Sequence, residues 1–552
     1  MVNPVNQILT VNLEDYFQVT PVSEIVPVGY WSRFERRVER NTAATLDMLD
    51  RHHAKATFFV SGWIADAAPE VVREVVKRGH RVAAKGYLHE FPTRLSLEEF
   101  FVDARRAKDA LERTADEEVL GYRAARGGID PDDSARFAAL ADAGYAYDSS
   151  VRPLGFGATA ANVAFPVGCG AGQVIELPIT AATALGYTYP VGGGNFLRQL
   201  PAVLTLPRIA RAAKDPAQTL VFYFHVWELD PDMPRLNGVS RLNRIRQYRN
   251  LDAMRERIEG VLAAHAFASA EDVLALERHV IRPVAKSVAA APAAKGEGEP
   301  LTLVVPCHNE AESLPFLDRT LALLADKLAG RYRLSFVFVD DASTDDTHEV
   351  LQKTFGGRED VRIVTHETNR GVSAAIMSGI AAARTDLVAS IDCDCSYDPF
   401  QVEALLERMQ PGVAMVTASP YHRDGHVLNV PAWRLMLSRG LSVIYGTLLR
   451  HKFATYTSCF RVYRRPALAG VALEHGNYLG IAELLIRLDQ AGRKLAEAPA
   501  TLEARLFGRS KMKTLRTIAG HLRLIGDLAA GKFKLETVAK SPPVEKLEKD
   551  RG

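Results

Sequence analysis

This sequence predicts two α/β domains in tandem, and three observations carry the expectation. At 552 residues the chain outgrows a single hydrophobic core, because domains hold roughly 150 to 250 residues. Short apolar runs alternate with stretches of helical period in both halves, the pattern of strands and helices taking turns along an α/β layer. Between the halves, Arg282 to Pro300 (RPVAKSVAAAPAAKGEGEP) replaces that periodicity with alanine, proline, glycine and lysine, which marks an exposed linker. The expected boundaries are 1–281 and 301–540 for the domains, 282–300 for the linker and 541–552 for a tail.

In the first domain, strands are expected at Ile8–Leu13, Ala56–Val60 and Thr219–Phe224, and helices at Asn41–His52, Pro69–Arg78 and Leu97–Arg113. In the second, strands at Leu301–Pro306, Leu334–Val339, Val361–Thr365 and Leu387–Ile391 suit an open, mainly parallel sheet. No repeat relates the two halves. Hydrophobic residues at 47% and charged residues at 24% exclude a disordered or membrane-spanning chain. A formal charge of +2 gives no global field to recruit nucleic acid, so no such partner is expected. Five cysteines (Cys169, Cys307, Cys393, Cys395, Cys459) lack the paired spacing of a disulfide framework or zinc ribbon and fit a reducing cytosol. The start, MVNPVNQILTVNLEDYF, has no basic region leading into an apolar one, and no window offers 18 uninterrupted apolar residues, so neither a signal peptide nor a membrane span is expected.

The chemistry of the second half lies where strands end. Strand Leu301–Pro306 runs into Cys307-His308-Asn309-Glu310, and Leu334–Val339 into Asp340-Asp341-Ala342-Ser343-Thr344-Asp345-Asp346-Thr347. Asn369-Arg370-Gly371 opens a helix of small residues, and Leu387–Ile391 leads to Asp392-Cys393-Asp394-Cys395-Ser396-Tyr397-Asp398-Pro399. Polar residues past the carboxyl ends of parallel strands line the crevice where such sheets bind ligands. Two carboxylates two residues apart offer hard oxygen ligands to a divalent cation bridging a diphosphate. The two cysteines between them read as small fillers, with no second pair to complete a thiolate site.

Taken in order, VVPCHNEAESL, VFVDDASTDDT, NRGVSAAIMSGI, SIDCDCSYDP, TSCFRVYRR, AELLIRLDQAGRKLAEAP and RLFGRSKMK resemble the family 2 glycosyltransferases, in the polyprenyl-phosphate (dolichyl-phosphate mannose synthase-like) branch. The resemblance implies a nucleotide-sugar-binding sheet of GT-A type and an inverting hexosyltransferase. Asp340 and Asp341 would contact the nucleoside, with Pro306, Asn309, Glu310, Asn369 and Gly371 as further donor-binding positions. Asp392 and Asp394 would hold Mg²⁺ or Mn²⁺ against the diphosphate, and Arg505, Ser510 and Lys511 would grip phosphates. The acceptor of that branch is a lipid phosphate, already mostly ionised at neutral pH with a second pKa of about 6, so it needs cations to orient it more than a base. Arg505, Arg509, Lys511 and Lys513 are available. Arg505 to Lys534 holds eight Lys or Arg against one acid, Asp527, with Leu515, Ile518, Leu522, Ile525 and Leu528 at helical spacing. That stretch is expected to lie on an anionic membrane, the alternative being that its stripe packs on the catalytic domain. Trp433–Leu449 reads as a core or acceptor-groove helix rather than an anchor. The expected location is cytoplasmic, at the inner face of the cell membrane.

In the first half, Thr10-Val11-Asn12-Leu13-Glu14-Asp15-Tyr16-Phe17 closes the first strand, and Gly79-His80 leads to Lys85-Gly86-Tyr87-Leu88-His89-Glu90. Gly121-Tyr122-Arg123-Ala124, the run Gly192 to Phe196 and Phe222-Tyr223-Phe224-His225-Val226-Trp227-Glu228 follow. Together these resemble polysaccharide deacetylases of carbohydrate esterase family 4, in the subgroup of exosortase and exopolysaccharide loci, which implies a (β/α) barrel. The chain departs from the family at two places. Asn12 stands where the catalytic base is an aspartate, and Lys85 with His89 stands where two histidines ligate metal. An amide takes no proton from metal-bound water, and an ammonium repels Zn²⁺. No zinc is therefore expected, and Lys85 is expected to pair with Asp15 or Glu14 in place of the cation. Arg123, His225, Trp227 and Glu228 then serve the fold or bind glycan. His52 and His53 read as surface or packing residues. The competing readings are a bifunctional enzyme that also deacetylates an N-acetyl sugar, and a carbohydrate-binding scaffold without catalysis.

Overall fold

The computed structural model describes residues 6–156, 158, 162–169, 172–215, 217–277, 298–428, 432–508 and 514–533. The chain separates into two compact units, residues 1–235 with 239–290, and residues 291–552 with 236–238. The linker and tail expected at 282–300 and 541–552 fall outside the described residues, except for 298–300, where a strand has already begun.

Strands of the first unit are β1 (Gln7–Leu13), β2 (Thr57–Val60), β3 (Arg81–Ala84), β4 (Gly121–Tyr122), β5 (Tyr147–Asp148), β6 (Gly155–Phe156), β7 (Phe165–Cys169), β8 (Gly172–Glu176), β9 (Ala181–Ala184), β10 (Tyr187–Pro190) and β11 (Leu220–His225). Eight of them pair in the order β11-β1-β2-β3-β4-β5-β8-β7, and β6, β10 and β9 form a small antiparallel sheet. Pairing is parallel from β11 to β8, and β7 runs antiparallel at one end. This is the curled α/β sheet of the expected deacetylase type. Parallel neighbours need crossovers, which the helices Val38–Arg51, Pro69–Lys77 and Leu97–Ala115 supply. The last is fixed at its start by a capping box, Ser96 accepting from the Glu99 amide while the Glu99 carboxylate accepts from that of Ser96.

Strand alternation sorts the side chains. Leu9, Val11 and Leu13 join Phe58, Val60, Phe222 and Phe224 in the main core, whereas Ile8 packs with Phe59, Tyr147 and Val221 on the opposite face. On that second face the apolar residues give way, toward the carboxyl ends, to Thr10, Asn12 and His225. The polar end of this face is where the candidate site forms.

In the second unit the strands are β12 (Glu299–Cys307), β13 (Tyr332–Asp340), β14 (Val361–Thr365), β15 (Leu387–Ser390), β16 (Val413–Ser419), β17 (His426–Leu428), β18 (Arg461–Arg464), β19 (Lys494–Pro499) and β20 (Thr501–Glu503). Seven form one sheet in the order β14-β13-β12-β15-β18-β16-β19, parallel across β14, β13, β12 and β15, with β18 antiparallel to both its neighbours. The open, mainly parallel sheet is thus as expected. Leu303 and Val305 of β12 face the helix Leu314–Leu328, while Val304 faces the helices Val372–Ala382 and Tyr478–Gln490. The helix Val372–Ala382 lies close on the sheet because it is built of small residues: a Cβ on Gly379 would sit 2.3 Å from a Val304 methyl.

In helix Thr514–Ala529 the expected stripe is divided: Leu528 is buried in the core, beside Leu524, with Ile525 packed against it, whereas Leu522 is 55% exposed. Ser510 and Lys511, with Arg509 and Lys513, lie outside the described residues. Among the described residues no helix is long and apolar enough to cross a membrane.

Leu303 sits at the centre of the second sheet with no exposure, so Leu303→Ala is expected to cost about 2 to 5 kcal/mol. Leu522, 55% exposed, is the control, its alanine variant staying within about 0.5 kcal/mol. Chemical denaturation of both checks the contrast.

Candidate active sites

In the second unit the parallel strands deliver their end residues to one edge. Cys307 on β12 pairs in register with Asp340 on β13, and Ser390, two residues short of Asp392, with Val304. Asn309 adopts a left-handed turn, φ 52°, that lets its side chain accept from the Thr344 amide at 2.6 Å. The Glu310 amide donates to Thr347 Oγ1 at 2.7 Å, so the β12 and β13 loops brace each other.

The two aspartates of the β13 loop divide their work. Asp340 accepts from the Ser343 amide at 3.0 Å and meets His348 Nδ1 at 3.1 Å. Asp341, expected at the nucleoside, accepts on its two oxygens from the Arg370 and Gly371 amides, at 2.8 and 2.7 Å, and His366 Nδ1 lies 2.7 Å away. Its charge is satisfied by N–H donors at the entrance to the helix Val372–Ala382, a position that favours an anion. Asn369 donates to the Asp341 carbonyl at 3.4 Å. Gly371 has φ 91° and would place a Cβ 2.7 Å from the Gly476 carbonyl, so glycine is required there. Pro306 lies in register with Val339, at the same strand end.

Asp392, Asp394, Glu310 and Arg505 come together beyond β15. Arg505 reaches Asp394 Oδ2 at 2.7 Å and Glu310 Oε1 at 3.5 Å. Asp394 also accepts from the Ser396 amide and hydroxyl, at 2.8 and 2.6 Å. Burial, then the neighbouring Asp394 charge, pushes the Asp392 carboxyl up to about 7, against the pull of Arg505. Asp394 and Glu310 thus both pair with the Arg505 guanidinium, whose charge also acts on Asp392. Among the described residues no group of three or more His, Cys, Asp or Glu side chains is placed to hold a metal. That donor set still fits a divalent cation that takes one or two carboxylates and completes its shell with substrate phosphates.

Sequence reasoning missed Tyr478. Burial, then the charges of Cys459, Asp392 and Asp394, push its hydroxyl up while Arg505 opposes them, which puts it within electrostatic reach of this edge. It is the first residue of the helix Tyr478–Gln490. Cys307 and Cys393 are buried with sulfurs 3.7 Å apart, in line with the filler reading.

In the first unit the ends of β1, β3, β4 and β11 converge. Lys85 forms a buried ion pair with Glu14 Oε2, both side chains 2% exposed. The other Glu14 oxygen meets His225 Nδ1 at 2.5 Å and accepts from Trp227 Nε1 at 3.4 Å, while His89 Nδ1 lies 3.5 Å from Oε2. Burial works to raise the Glu14 pKa, but Lys85, His225 and His89 overcome it and hold the carboxyl well below its ordinary range. Burial in turn lowers Lys85 to about 8, with Glu14 opposing.

Asp15, the other expected partner of Lys85, turns away. Its carboxylate accepts from the Arg37 and Val38 amides at 2.7 and 3.1 Å and from the Tyr16 amide at 2.9 Å, anchoring the start of the helix Val38–Arg51. Asn12 accepts from Arg123 Nη1 at 3.3 Å and lies 3.5 Å from His225 Nε2. Arg123, fully buried, also donates to Thr10 Oγ1, the Ser149 carbonyl and Ser149 Oγ, and burial lowers it to about 9. Glu228 is a fold residue: it accepts from the His225 amide at 3.0 Å and pairs with Arg198 at 2.9 Å. The run Gly192 to Gly194 lies against β11, where a Cβ on Gly193 would fall 2.0 Å from the Tyr223 carbonyl. A Zn²⁺ ion does not fit this donor set, because the Lys85 ammonium already occupies the metal side of Glu14.

Family models match three segments: glycosyl transferase family 2 at residues 302–471, polysaccharide deacetylase at 30–147, and domain of unknown function (DUF3473) at 149–275. A dolichol-phosphate mannosyltransferase of Pyrococcus furiosus is 27% identical over 243 residues, covering 44% of this chain and 66% of that protein, just under two thirds of its length. An uncharacterized glycosyltransferase of Mycobacterium bovis is 34% identical over 227 residues, 39% of this chain and 90% of the relative. Among solved structures, a protein from Mycobacterium smegmatis assigned as a polysaccharide deacetylase matches 52% of this chain and 97% of its own, at 19% identity and a TM-score of 0.35. The chain therefore belongs to glycosyl transferase family 2 through its C-terminal half, joined in one polypeptide to a polysaccharide deacetylase-like N-terminal half.

Proposed function

We propose that this protein is an inverting hexosyltransferase moving a sugar from a nucleotide-sugar donor to a polyprenyl phosphate at the cytoplasmic face of a membrane, and that its N-terminal half no longer hydrolyses acetamides. The observation that carries the transferase reading is Arg505 held between Asp394 and Glu310, beside Asp392, at the carboxyl edge of a parallel sheet. The named mannosyltransferase among its relatives supports a lipid-phosphate acceptor.

Asp392 and Asp394 would hold Mg²⁺ or Mn²⁺, and the cation would neutralise charge developing on the departing diphosphate. Asp340 and Asn309 bound the nucleoside side of the crevice, and Asp341 acts indirectly by fixing the loop at Asn369 to Gly371. Arg505 can leave its carboxylates for an incoming phosphate, since guanidinium pairs bidentately with either. Ser510 and Lys511 follow it in sequence and would extend that grip. With an acceptor already ionised, the residues orient two mutually repelling anions and need take no proton.

Loss of hydrolysis follows from the first unit's geometry. The Asn12 amide faces Arg123 and His225 where a base would have to stand, and Lys85 neutralises the carboxylate a metal would need.

Purified protein incubated with a panel of nucleotide sugars and undecaprenyl phosphate, with and without Mn²⁺, should form a lipid-soluble labelled product only with metal. Asp394→Ala should lower that rate by about 100-fold or more, as expected when charge stabilisation at the leaving group is lost. Product formed at the parent rate by Asp394→Ala, or product that stays water-soluble, would refute the transferase or the acceptor reading respectively. For the first unit, the parent protein should release no acetate from N-acetylated oligosaccharides and retain no zinc through dialysis. Lys85→His, which exchanges the ammonium for a second imidazole beside Glu14 and His89, should gain stoichiometric zinc by metal analysis while Asn12 keeps it inactive. Acetate release by the parent protein would sink this reading.

A further inference from the structure

The polar strand ends of the first unit carry more positive charge than their own acids balance. Arg123 is fully buried, and among the described residues its side chain gives all its hydrogen bonds to uncharged oxygens: Thr10 Oγ1, Asn12 Oδ1, the Ser149 carbonyl and Ser149 Oγ. A buried guanidinium ordinarily has a carboxylate against it, because an unpaired charge out of water is costly. Two acids of the neighbouring strands, Asp148 and Glu176, sit side by side in register but are turned to other donors. Asp148 accepts from the Ser150 hydroxyl and amide, at 2.7 and 3.0 Å, and Glu176 from the Val151 amide at 2.9 Å. Burial pushes both carboxyls up, which favours their protonated forms.

Glu14 is already matched, by Lys85 on one oxygen and by His225 and Trp227 on the other. Further cations stand near. Arg152 is exposed, and its charge acts on Lys85, Arg123 and Tyr223 together. Arg126 is 7% exposed, its Nε has no hydrogen-bond partner among the described residues, and its charge is within reach of Glu14 and Glu90. Lys85, Arg123, Arg126 and Arg152 thus face the carboxylates of Glu14 and Glu90. Asn12 Nδ2, 3.5 Å from His225 Nε2, is spent on one long contact and can turn an N–H to an incoming oxygen. Solvent reaches this side, since Tyr223 is half-buried and the His225 side chain is 20% exposed. Three residues after Arg152 the chain enters the small antiparallel sheet, where Phe156 and Tyr187 meet edge to face at 5.0 Å and stand 82% and 37% exposed. Strand β10 of that sheet leads into Gly192 and Gly193, which bridge to Tyr223, so both ends of the sheet are joined to the cationic site. Aromatic faces left in solvent beside a polar site suit the apolar C–H faces of a sugar ring.

We infer that the place where Asn12, Arg123, Arg152 and His225 converge is a binding site for the oxyanion of an acidic sugar, a carboxylate or a phosphate, with the sugar ring directed toward Phe156 and Tyr187. An arrangement that would have held a cation on carboxylates has become one that holds an anion on cations and amide donors. The inference goes beyond the proposed loss of hydrolysis and rests on it in one respect, that the Lys85 ammonium and no metal ion compensates Glu14.

The test is isothermal titration of the full chain, at low ionic strength, with oligogalacturonate, its methyl ester, glucose 6-phosphate and inorganic phosphate. Oligogalacturonate should bind, and the methyl ester, which keeps the sugar chain and removes its charge, should bind about tenfold more weakly or worse. Arg152→Glu and Asn12→Asp should each lower the affinity about tenfold or more: the first reverses a cation at the mouth, and the second sets a carboxylate of the chain's own against Arg123 in the ligand's place. Arg152→Lys should keep most of the affinity. Thermal midpoints at or above that of the parent show that the variants are folded. Glucose 6-phosphate binding in place of oligogalacturonate, with the same dependence on Arg152 and Asn12, would support the site and make a sugar phosphate its source. Inorganic phosphate binding as tightly as both sugars would overturn the sugar ligand. Equal binding of charged and esterified oligosaccharide, binding of none of the anions, or variants that bind as well as the parent would overturn the site. Acetate release or retained zinc in the parent removes the loss of hydrolysis, whereas failure of anion binding without either removes this site alone.

Discussion

Glu14 and Lys85 form an ion pair from which water is almost wholly excluded, and the first unit is organised by the need to keep that carboxylate compensated. A buried carboxylate without a cation or several N–H donors is costly, and removing one partner of such a pair leaves an uncompensated charge that destabilises by several kcal/mol. Glu14 meets the demand on both oxygens, with Lys85 on one and His225 and Trp227 on the other. The geometry explains how two departures from the deacetylase pattern can coexist in a stable fold. Under the proposed loss of hydrolysis, Lys85 would stand in for the cation at Glu14, while Asn12 accepts from Arg123 and lies beside His225.

The same constraint is met in three ways at the edge of the second sheet. Asp341 is satisfied by backbone N–H groups and a histidine. Asp340 is balanced by one amide and a half-exposed histidine. Asp394 pairs with Arg505 and accepts from Ser396, Glu310 pairs with Arg505 and accepts from Ser313, and burial, then the Asp394 charge, holds the Asp392 carboxyl up. Carboxylates gathered at a strand edge beside a guanidinium, one of them shifted upward by burial and a neighbouring charge, form a candidate site for a cation together with a substrate's phosphates.

How far this could be read beforehand depended on the kind of signal. Periodicity and turn residues located the strands ending at Leu13, Val60, Asp340 and Thr365 to within a few positions, because alternation and strand-end polarity are local properties. The pairing of Lys85 with a carboxylate was also legible, since charge substitution at a metal site leaves few alternatives. Which carboxylate was not: Glu14 and Asp15 are adjacent, and the choice is made by the amides of Arg37 and Val38, more than twenty residues along the chain. Tyr478 carried no local mark at all, because it reaches the site only through the packing of the helix it begins.

The two amphipathic segments of the second unit show why apolar spacing fixes a side but not what covers it. Helix Thr514–Ala529 had the better sequence case for a membrane, with its stripe and its basic residues, yet Leu524 and Leu528 find partners beneath the sheet's helices and leave Leu522 outside. Helix Ala432–Leu448 had the weaker case because it is apolar nearly all round, and a helix of that kind is ordinarily buried. It has a packed side, through Tyr445 and Leu449, and cannot also bury Met436 and Val443 without another layer.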